Sequence, residues 1–597
     1  MNRRAIPLLI LAAIVLAVYG ASLAGEFVWD DRPLIVENRL IRDPGGILTL
    51  LTSSFWQTGD RHDRFRSFFR PAVSLSYAAD YAIWGLRPVG YRATNLLLHL
   101  LCCWLVYRIA ISERLARGPA LAGAALYAVH PVHVESVAWI SGRTDLVCAA
   151  FMLASFLAQR RAGESARAPA WRAASLALFG AALFSKEMAA TLPLLVAADR
   201  WLDDRGPGRI RRSLAAATPY LAVLAVYLLA RHAALGEEAA PLYLLSPESH
   251  LASALFVIGR YTTLLLAPLG LDTHYPYGPI ESLASPLALL GLGMIVVVAL
   301  AAARAARASG KTALWILWTY VTLLPVLAFG RYGDVLMADR FLYIPSVGLA
   351  LLLARGIALA GAFKPSVARA VGATAACLVA AFGIAAHAQS ALWKDDLGLF
   401  SRMVETSPDS GMVHSNLGLA YQRKGEYRKA QQEFLAAIER TPSYALAHNN
   451  LAVSYEREGR LVDALRSYEQ ALRLAPAQLE PRINAASLRV KLGDAAWGLE
   501  QLRTLAESHP RYPPALYAYA EALDYVGRRD EALPFLERVL AADPLYANAH
   551  YMRGKILAEQ GRKEEAARAM RRFLMLWSEG GLYADVARRV IVQAEPM

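Results

Sequence analysis

The chain has 597 residues, 56% of them hydrophobic, and its mean hydropathy of +0.30 excludes a wholly soluble protein. The net charge of +13 does not indicate nucleic-acid binding, because Lys and Arg cluster in short loops between apolar runs and lack neighbouring side chains that could read bases. The four cysteines lie within or beside apolar runs and predict neither a disulfide framework nor a zinc site.

The first apolar run, 6–23, follows the basic sequence "MNRR". The small residues of "ASLAG" would suit signal peptidase, but the run is long enough to span a bilayer and many apolar runs follow, so we favour an uncleaved anchor. With Arg3 and Arg4 inside, the next loop, 25–91, lies outside. It carries the adjacent carboxylates Asp30 and Asp31, and its aromatic segments suit the membrane interface.

Ten further apolar runs complete a predicted set of eleven crossings, with the basic loops cytoplasmic. The run 251–269 contains Arg260 and breaks this alternation, so we interpret it as re-entrant or interfacial. With eleven crossings the C-terminal part lies outside, whereas a twelfth would place it in the cytoplasm. The ten runs are 92–111, 119–134, 144–159, 171–185, 188–202, 213–230, 286–303, 313–329, 341–358 and 368–387.

Six polar blocks fall on the outer face in this topology. Ionisable residues at the ends of spans are costly unless they pair or line a wet cavity, so their convergence predicts a functional site. The alternative is that each block merely ends a helix and pairs with lipid headgroups. The blocks are "WDD" (29–31), "FFRP" (68–71), "HPVHVESVAWISGRTD" (130–145), "SKE" (185–187), "DTHYPYGP" (272–279) and "GRYGDVLMADRFLY" (330–343).

The charged residues of these blocks fit transfer from a lipid phosphate. Arg143, Lys186 and Arg340 stand where a phosphate headgroup would lie, and their cationic groups suit phosphate oxygens. A positioned Asp can take the proton of an acceptor hydroxyl while fixed cations stabilise the leaving phosphate. No cofactor and no metal site are predicted, and no nucleotide-binding glycine loop precedes the membrane half.

A 34-residue period replaces the apolar runs in the C-terminal part. We predict five tetratricopeptide repeats over 401–578, followed by a capping helix and tail over 579–597. Such repeats stack into an α-solenoid whose concave face binds peptides, although a spacer role is the alternative. The third and fourth units are less typical, with Arg489 and Leu523 where Tyr421 and Tyr455 stand. The turn residues at this spacing are Gly425, Gly459, Gly493, Gly527 and Gly561.

These motifs together resemble the TMTC family of protein O-mannosyltransferases, which belongs to the GT-C glycosyltransferases. The resemblance rests on "FVWDD", "GYRATNLLLHLL", "HPVHVESVAWISGRTDL", "FSKEMAATLP" and "DRFLYIPSVG", followed by the repeats. It implies an all-α chain: a polytopic transmembrane GT-C-like domain over 1–400 and then the α-solenoid. It also implies a sugar donor carried on polyprenyl phosphate.

The resemblance assigns roles to particular residues. Asp30 and Asp31 match the acidic pair of the first outer loop, and one of them would be the base or orient the acceptor. His130 and His133 would be neighbours of the donor site. The residues implied to surround the carrier phosphate and sugar are Arg143, Asp145, Lys186, Glu187 and Arg340.

The expected function is therefore an integral-membrane glycosyltransferase that moves mannose or another hexose to Ser or Thr of acceptor proteins, which the repeats engage. The richness in Ala, Leu and Arg suggests a bacterial inner-membrane protein with a periplasmic site and periplasmic repeats; a eukaryotic chain would lie in the endoplasmic reticulum membrane. The alternatives are a non-catalytic membrane scaffold for envelope complexes and a transporter for a lipid-linked sugar. The expected partners are the donor, the acceptor protein and membrane lipid, but no nucleic acid.

Overall fold

The computed structural model describes residues 5–42, 44–56, 68–163, 165–236, 245–327, 336–362, 364–577 and 581–594. Within these ranges the chain forms 27 α-helices and no β-strand, which confirms the all-α fold class. Parts of the first outer loop, of the 330–343 block and of the predicted C-terminal cap lie outside the described residues.

The helices divide into two compact units, with the boundary between Ser407 and Pro408. The sequence placed this boundary at 400, which falls inside the last helix of the first unit. The helices of the first unit are α1 (Ile6–Tyr19), α2 (Ile47–Thr52), α3 (Pro71–Trp84), α4 (Pro88–Ser112), α5 (Arg117–Val129), α6 (Val134–Ala138), α7 (Arg143–Ala162), α8 (Ala168–Leu183), α9 (Leu192–Asp203), α10 (Arg209–Leu235), α11 (Pro247–Leu266), α12 (Pro286–Ala308), α13 (Gly310–Val321), α14 (Ser346–Gly361), α15 (Pro365–Ser390) and α16 (Asp396–Thr406).

Eight helical segments of the described chain are long and apolar enough to cross a membrane. Four of the predicted runs, 119–134, 171–185, 188–202 and 341–358, instead form the shorter helices α5, α8, α9 and α14. The count of eleven crossings stays a prediction. The eight segments are Ile6–Ala24, Pro88–Ser112, Ile140–Ala162, Arg209–Leu235, Pro247–Leu266, Pro286–Ala308, Gly310–Leu327 and Ser366–Trp393.

The central helix of the first unit is α7. Of the 18 residues that form the apolar stretch of its segment, 89% are buried, whereas the figure for the segment that contains α12 is 11%. The exposed residues of α12 include Leu290, Val297 and Leu300. A helix that exposes large apolar side chains on most of its surface is suited to lipid. The outer helices of this unit therefore carry the surface expected of membrane contact, while α7 is enclosed by protein.

An ion-pair network ties five helices together at one end of the first unit. The buried Glu113 carboxylate, just after α4, accepts from Arg160 Nη1 at 3.0 Å, Arg355 Nη1 at 3.2 Å and Trp315 Nε1 at 3.0 Å. Arg160 also binds Asp199 at 3.0 Å, which binds Lys311 at 2.9 Å. These residues come from the ends of α4, α7, α9 and α14 and from the start of α13. The ends of the predicted cytoplasmic loops thus meet, and their side of the membrane stays a prediction.

The run that broke the predicted alternation forms α11. Near its beginning, Glu248 Oε1 accepts from Ser282 Oγ and from Leu283 N, both at 3.1 Å. The chain thus returns to the start of α11 just before α12 begins. The two helices cross closely, because a side chain on Gly291 would collide with the carbonyl of Leu255. The starts of α11 and α12 thus lie at the same end, and because α11 is itself long and apolar enough to span a membrane, its re-entrant or interfacial placement stays a prediction.

The second unit consists of five helix pairs and a last helix. The five turn glycines have φ between 76° and 98°, a region that only glycine occupies cheaply, so the period marks the turns correctly. Within a pair the helices pack closely; a side chain on Gly418 would collide with the Phe434 ring. The helices are α17 (Gly411–Arg423), α18 (Tyr427–Arg440), α19 (Ala445–Arg457), α20 (Leu461–Leu474), α21 (Leu479–Lys491), α22 (Ala495–Ser508), α23 (Pro513–Tyr525), α24 (Arg529–Ala542), α25 (Ala547–Glu559), α26 (Lys563–Leu576) and α27 (Leu582–Ala594).

Glu113→Ala should strongly destabilise the first unit, because it leaves the Arg160 and Arg355 charges in a buried site without this partner. We expect a loss of about 3–5 kcal/mol, measured by thermal unfolding of the detergent-solubilised protein. The control is Glu405→Ala, since Glu405 is 66% exposed and pairs with Arg402 at the surface; this change should cost less than about 1 kcal/mol. Equal losses in the two variants would contradict a structural role for the network.

Candidate functional site

Asp31 anchors the loop that follows α1. Its carboxylate is fully buried and accepts three hydrogen bonds: from Ser141 N at 2.8 Å, Ser141 Oγ at 2.6 Å and Val28 N at 3.0 Å. Burial raises the pKa of Asp31 to about 6, although these hydrogen bonds and the Arg92 charge lower it. Asp31 therefore joins the loop to the segment before α7.

Asp30 has a different environment from its neighbour. Its side chain is half-buried, and its charge acts on the Arg340 guanidinium. The residue before it, Trp29, has a φ of 53°, in the left-handed region that residues other than glycine rarely occupy. After Trp29 the two adjacent carboxylates differ in environment: Asp31 lies in the protein interior and Asp30 acts on the Arg340 charge.

Three cations lie close together, Arg70, Lys186 and Arg340, which we call the cation cluster; Asp30 acts on its Arg340 member. Burial lowers the pKa of the Lys186 ammonium, the Arg70 and Arg340 charges lower it further, and Asp145 raises it. Each cation has a carboxylate partner. The pairs are Arg70 Nη2 with Glu187 Oε2 at 2.9 Å, Lys186 Nζ with Asp145 Oδ1 at 2.6 Å, and Arg340 Nη1 with Glu135 Oε1.

The cation cluster is shielded by aromatic rings and keeps donor capacity. The Phe341 ring lies 5.1 Å from Lys186 Nζ and 5.0 Å from Arg340 Cζ. Arg70 Nε is buried and has no hydrogen-bond partner among the residues that the structure describes. Cations partly screened from water, with an unused N–H, are suited to bind an anion.

A cavity adjoins the Glu135 end of this group. Its wall includes Glu135, Asp339, Gln389, Trp393 and Arg402. Tyr275 OH donates to Asp339 Oδ1 at 2.6 Å, and burial raises the pKa of Asp339 well above its usual range, with the Glu135 charge adding to the effect. The wall thus combines carboxyl, amide and guanidinium groups with an indole edge.

Of the residues expected at the site, Asp30, Asp145, Lys186, Glu187 and Arg340 come together. Arg143 points elsewhere. It is fully buried, binds Asp80 at 2.6 Å, Asn95 Oδ1 at 2.8 Å and the Tyr91 carbonyl at 2.7 Å, and lies over the Tyr77 ring. These contacts join α7 to α3 and α4, which is a packing arrangement.

The two histidines also lie in the interior. His130 Nε2 contacts the Leu265 carbonyl at 3.0 Å, and His133 Nε2 contacts Ser346 Oγ at 2.7 Å. The His133 ring centre lies 4.5 Å from that of Tyr127 and 4.7 Å from that of Tyr343. Both residues belong to a buried histidine–tyrosine group rather than to the contacts of the cation cluster.

Sequence reasoning did not single out four residues of this region. Arg70 and Glu135 lie inside polar blocks that the sequence did identify. Their position as charged residues beside an apolar run could have marked them as site residues. Ser141 and Asp396 have no local signal, because their roles depend on contacts with the distant loop at 28–32.

No group of three or more His, Cys, Asp or Glu side chains is placed to hold a metal ion within the described residues. The cluster contains as many acidic partners as cations, and its carboxylates are engaged by Arg and Lys. Its arrangement is therefore one of organic cations fixed in place by carboxylates.

Comparison with known proteins gives matches in both units. The family model for dolichyl-phosphate-mannose-protein mannosyltransferase matches residues 71–235, and the tetratricopeptide repeat model matches 415–478 and 520–580. The protein O-mannosyl-transferase F38B6.6 of Caenorhabditis elegans is 24% identical over 72% of this chain. TMTC3 of Homo sapiens is 23% identical over 72% of it, and Tmtc1 of Drosophila melanogaster is 35% identical over 25% of it.

The resemblance to the TMTC family is confirmed. Together with these relatives, the eight apolar helical segments of the described residues indicate an integral membrane protein. The matched region covers 62% of the Caenorhabditis relative, 50% of human TMTC3 and 18% of Drosophila Tmtc1. The chain thus spans less than two thirds of these relatives.

Asp31→Asn should change the pH dependence of stability. Because the folded pKa is raised, ionisation of the buried carboxyl disfavours folding as the pH rises from about 4 to 6, by about 3 kcal/mol in total. The neutral amide avoids this cost, so the stability of the wild type relative to the variant should fall over that interval and then level off. Thermal unfolding from pH 4.5 to 7.5 measures the difference.

Asp395→Asn is the matched control, since it removes one carboxylate from the N-cap of α16 and leaves Asp31 unchanged. A stability difference between wild type and Asp31→Asn that does not vary with pH would contradict a raised Asp31 pKa.

Proposed function

We propose that the protein is a glycosyltransferase that transfers mannose or another hexose from a polyprenyl-phosphate carrier to a Ser or Thr hydroxyl of an acceptor protein. The observation that carries this proposal is the position of half-buried Asp30 beside the cation cluster. The names of the matching family and relatives support the same reaction.

In the proposed reaction the acceptor hydroxyl attacks the anomeric carbon of the sugar. The new C–O glycosidic bond forms as the bond between that carbon and the phosphate oxygen breaks. The hydroxyl proton passes to a carboxylate, and the bonding electrons leave with the polyprenyl phosphate. The protein must therefore supply one base and a fixed positive field for the leaving phosphate.

Asp30 suits the base better than Asp31. All the described hydrogen bonds of Asp31 come from the loop and Ser141, and its side chain is fully buried. Asp30 retains exposure, and its charge is near the Arg340 guanidinium. A half-buried carboxylate at the border of the cation cluster can accept the proton of an acceptor hydroxyl.

The cation cluster suits the carrier phosphate. Lys186 and Arg340 are held by Asp145 and Glu135, and this pairing fixes their positions before the substrate arrives. The buried Nε of Arg70 offers a further N–H. We assign Glu187 and Asp145 to positioning these cations. Arg143, His130 and His133 make interior contacts and are not among the proposed donor contacts.

The cavity beside Glu135 is our proposed position for the transferred sugar. Its wall carries carboxyl, amide and guanidinium groups that can exchange hydrogen bonds with sugar hydroxyls. The donor would then place its phosphate at the cation cluster, and its polyprenyl chain would lie among the exposed apolar helices.

The repeats are proposed to engage the acceptor protein. Asn416, Asn450 and Asn484 occupy the same position in the first three pairs, 34 residues apart. Asn484 Nδ2 donates to Asn449 Oδ1 at 3.3 Å, while Asn450 is 7% exposed and its Nδ2 has no partner among the described residues. A carboxamide offers the donor and acceptor that complement a peptide group.

The proposed location is the bacterial inner membrane, with the site and the repeats in the periplasm. The charge pattern of the loops supports this orientation, and Arg160 and Arg355, which lie at predicted cytoplasmic loops, both pair with Glu113. In a eukaryotic cell the same orientation would direct the site to the lumen of the endoplasmic reticulum.

Asp30→Asn should lower the rate of sugar transfer about 100-fold or more, because the amide cannot take the acceptor proton. The measurement is mass spectrometry of envelope proteins from wild-type, deletion and Asp30→Asn strains, which should show a hexose lost equally in the last two. The variant should keep wild-type abundance and thermal stability. Persistence of the hexose in the Asp30→Asn strain would contradict the assigned base.

The scaffold alternative predicts a different pattern. A non-catalytic scaffold would tolerate Asp30→Asn and Lys186→Ala, and no hexose would depend on the protein. In that case substitutions in the repeats alone would cause loss of function.

Replacing Asn416, Asn450 and Asn484 together by Ala should weaken capture of the acceptor protein. We expect KM for the acceptor to rise about 10-fold with little change in kcat, because the transfer site is unaltered. Asn548→Ala, at an exposed position of α25, is the control and should behave as wild type. A change confined to kcat would argue against a role of these amides in acceptor binding.

A further inference from the structure

The loop that carries Asp30 is held by a segment far away in sequence. Glu26 N donates to the Lys394 carbonyl at 2.8 Å, and Trp29 N donates to Asp396 Oδ1 at 2.8 Å. Asp396 Oδ2 accepts from Arg32 Nε at 3.1 Å. One carboxylate thus binds the loop on both sides of Asp30.

Asp396 is well placed for such a role. It is the first residue of α16, the last helix before the repeats in sequence, and only 5% of it is exposed. The same helix contributes Phe400, whose ring centre lies 5.9 Å from that of Trp29. On its other side the Trp29 ring stacks with Trp139 at 5.5 Å. Trp29 is therefore held through both its backbone and its side chain.

The held conformation is one that the chain does not prefer. With φ at 53°, Trp29 occupies the left-handed region, which is costly for a residue with a Cβ atom. The hydrogen bond from Trp29 N to Asp396 opposes relaxation toward the ordinary region. Because Asp30 follows directly, rotation at Trp29 would move its carboxylate relative to Arg340.

We propose that Asp396 is a positioning residue for sugar transfer, which fixes the Trp29 backbone and thereby places Asp30. This inference rests on the proposed function, since it takes Asp30 as the base. Asp396 does not itself contact the reacting atoms. Its effect should therefore appear in kcat, with the donor KM nearly unchanged.

The test compares two adjacent carboxylates of the full-length protein in nanodiscs. Asp396→Ala removes the acceptor for Trp29 N, whereas Asp395→Ala removes only the N-cap of α16, where Asp395 Oδ1 accepts from Gly398 N at 2.8 Å. Two quantities are measured: hydrogen–deuterium exchange of the peptide covering 26–36, and kcat and KM with a polyprenyl-phosphate mannose donor.

We expect Asp396→Ala to increase exchange in the loop and to lower kcat about 10-fold or more, with donor KM within about threefold of wild type. Asp395→Ala should leave loop exchange unchanged and kcat within about twofold. Asp396→Asn, which keeps an oxygen for Trp29 N and loses the Arg32 ion pair, should be intermediate. It provides the comparison if Asp396→Ala fails to fold.

Equal effects of Asp395→Ala and Asp396→Ala would overturn the proposal, because helix stability would then explain both. Unchanged loop exchange in Asp396→Ala and Asp396→Asn would also overturn it. The exchange measurement needs no substrate. If the wild type transferred no sugar and exchange still rose only in the Asp396 variants, the proposed function would fail while the hold on the loop would stand.

Discussion

Charges inside an apolar bundle must be paired, and this requirement arranges both ends of the membrane unit. At one end, Glu113 collects the cations of α7 and α14. At the other, Glu135, Asp145 and Glu187 each hold one member of the cation cluster. Each pair is costly to bury and more costly to break, so the ends of many helices are fixed relative to one another. The candidate site is one of these paired regions, with Asp30 at its border.

The sequence was informative where the physical signal is periodic or local. Apolar runs, basic loops and a 34-residue step predicted the membrane helices, the grouping of their ends and the repeat turns, because each signal is carried by neighbouring residues. The direction in which a single side chain points depends instead on residues distant in sequence. Arg70 and Arg143 both lie in polar blocks. Arg143 nevertheless points into the protein, where it pairs with Asp80 and donates a hydrogen bond to Asn95. Asp396 could not be found, since its partners lie more than 360 positions away.

The two neighbouring aspartates show how backbone geometry can give adjacent carboxyl groups different environments. The left-handed residue Trp29 precedes them, and the chain then directs Asp31 into the protein and leaves Asp30 half-buried. The interior carboxyl of Asp31 accepts three hydrogen bonds and has no contact with solvent. The outer one keeps part of its surface exposed. Identical side chains thus acquire different environments, and a sequence motif of two acids cannot by itself tell them apart.

Contacts in the repeat unit run mainly between neighbouring helices, since each pair packs on the next, as with α17 on α18 and α18 on α19. Stability in such an array is close to a sum of local terms. Whole 34-residue units can therefore be gained or lost during evolution without rebuilding a common core. The length of the array can in this way change separately from the membrane unit.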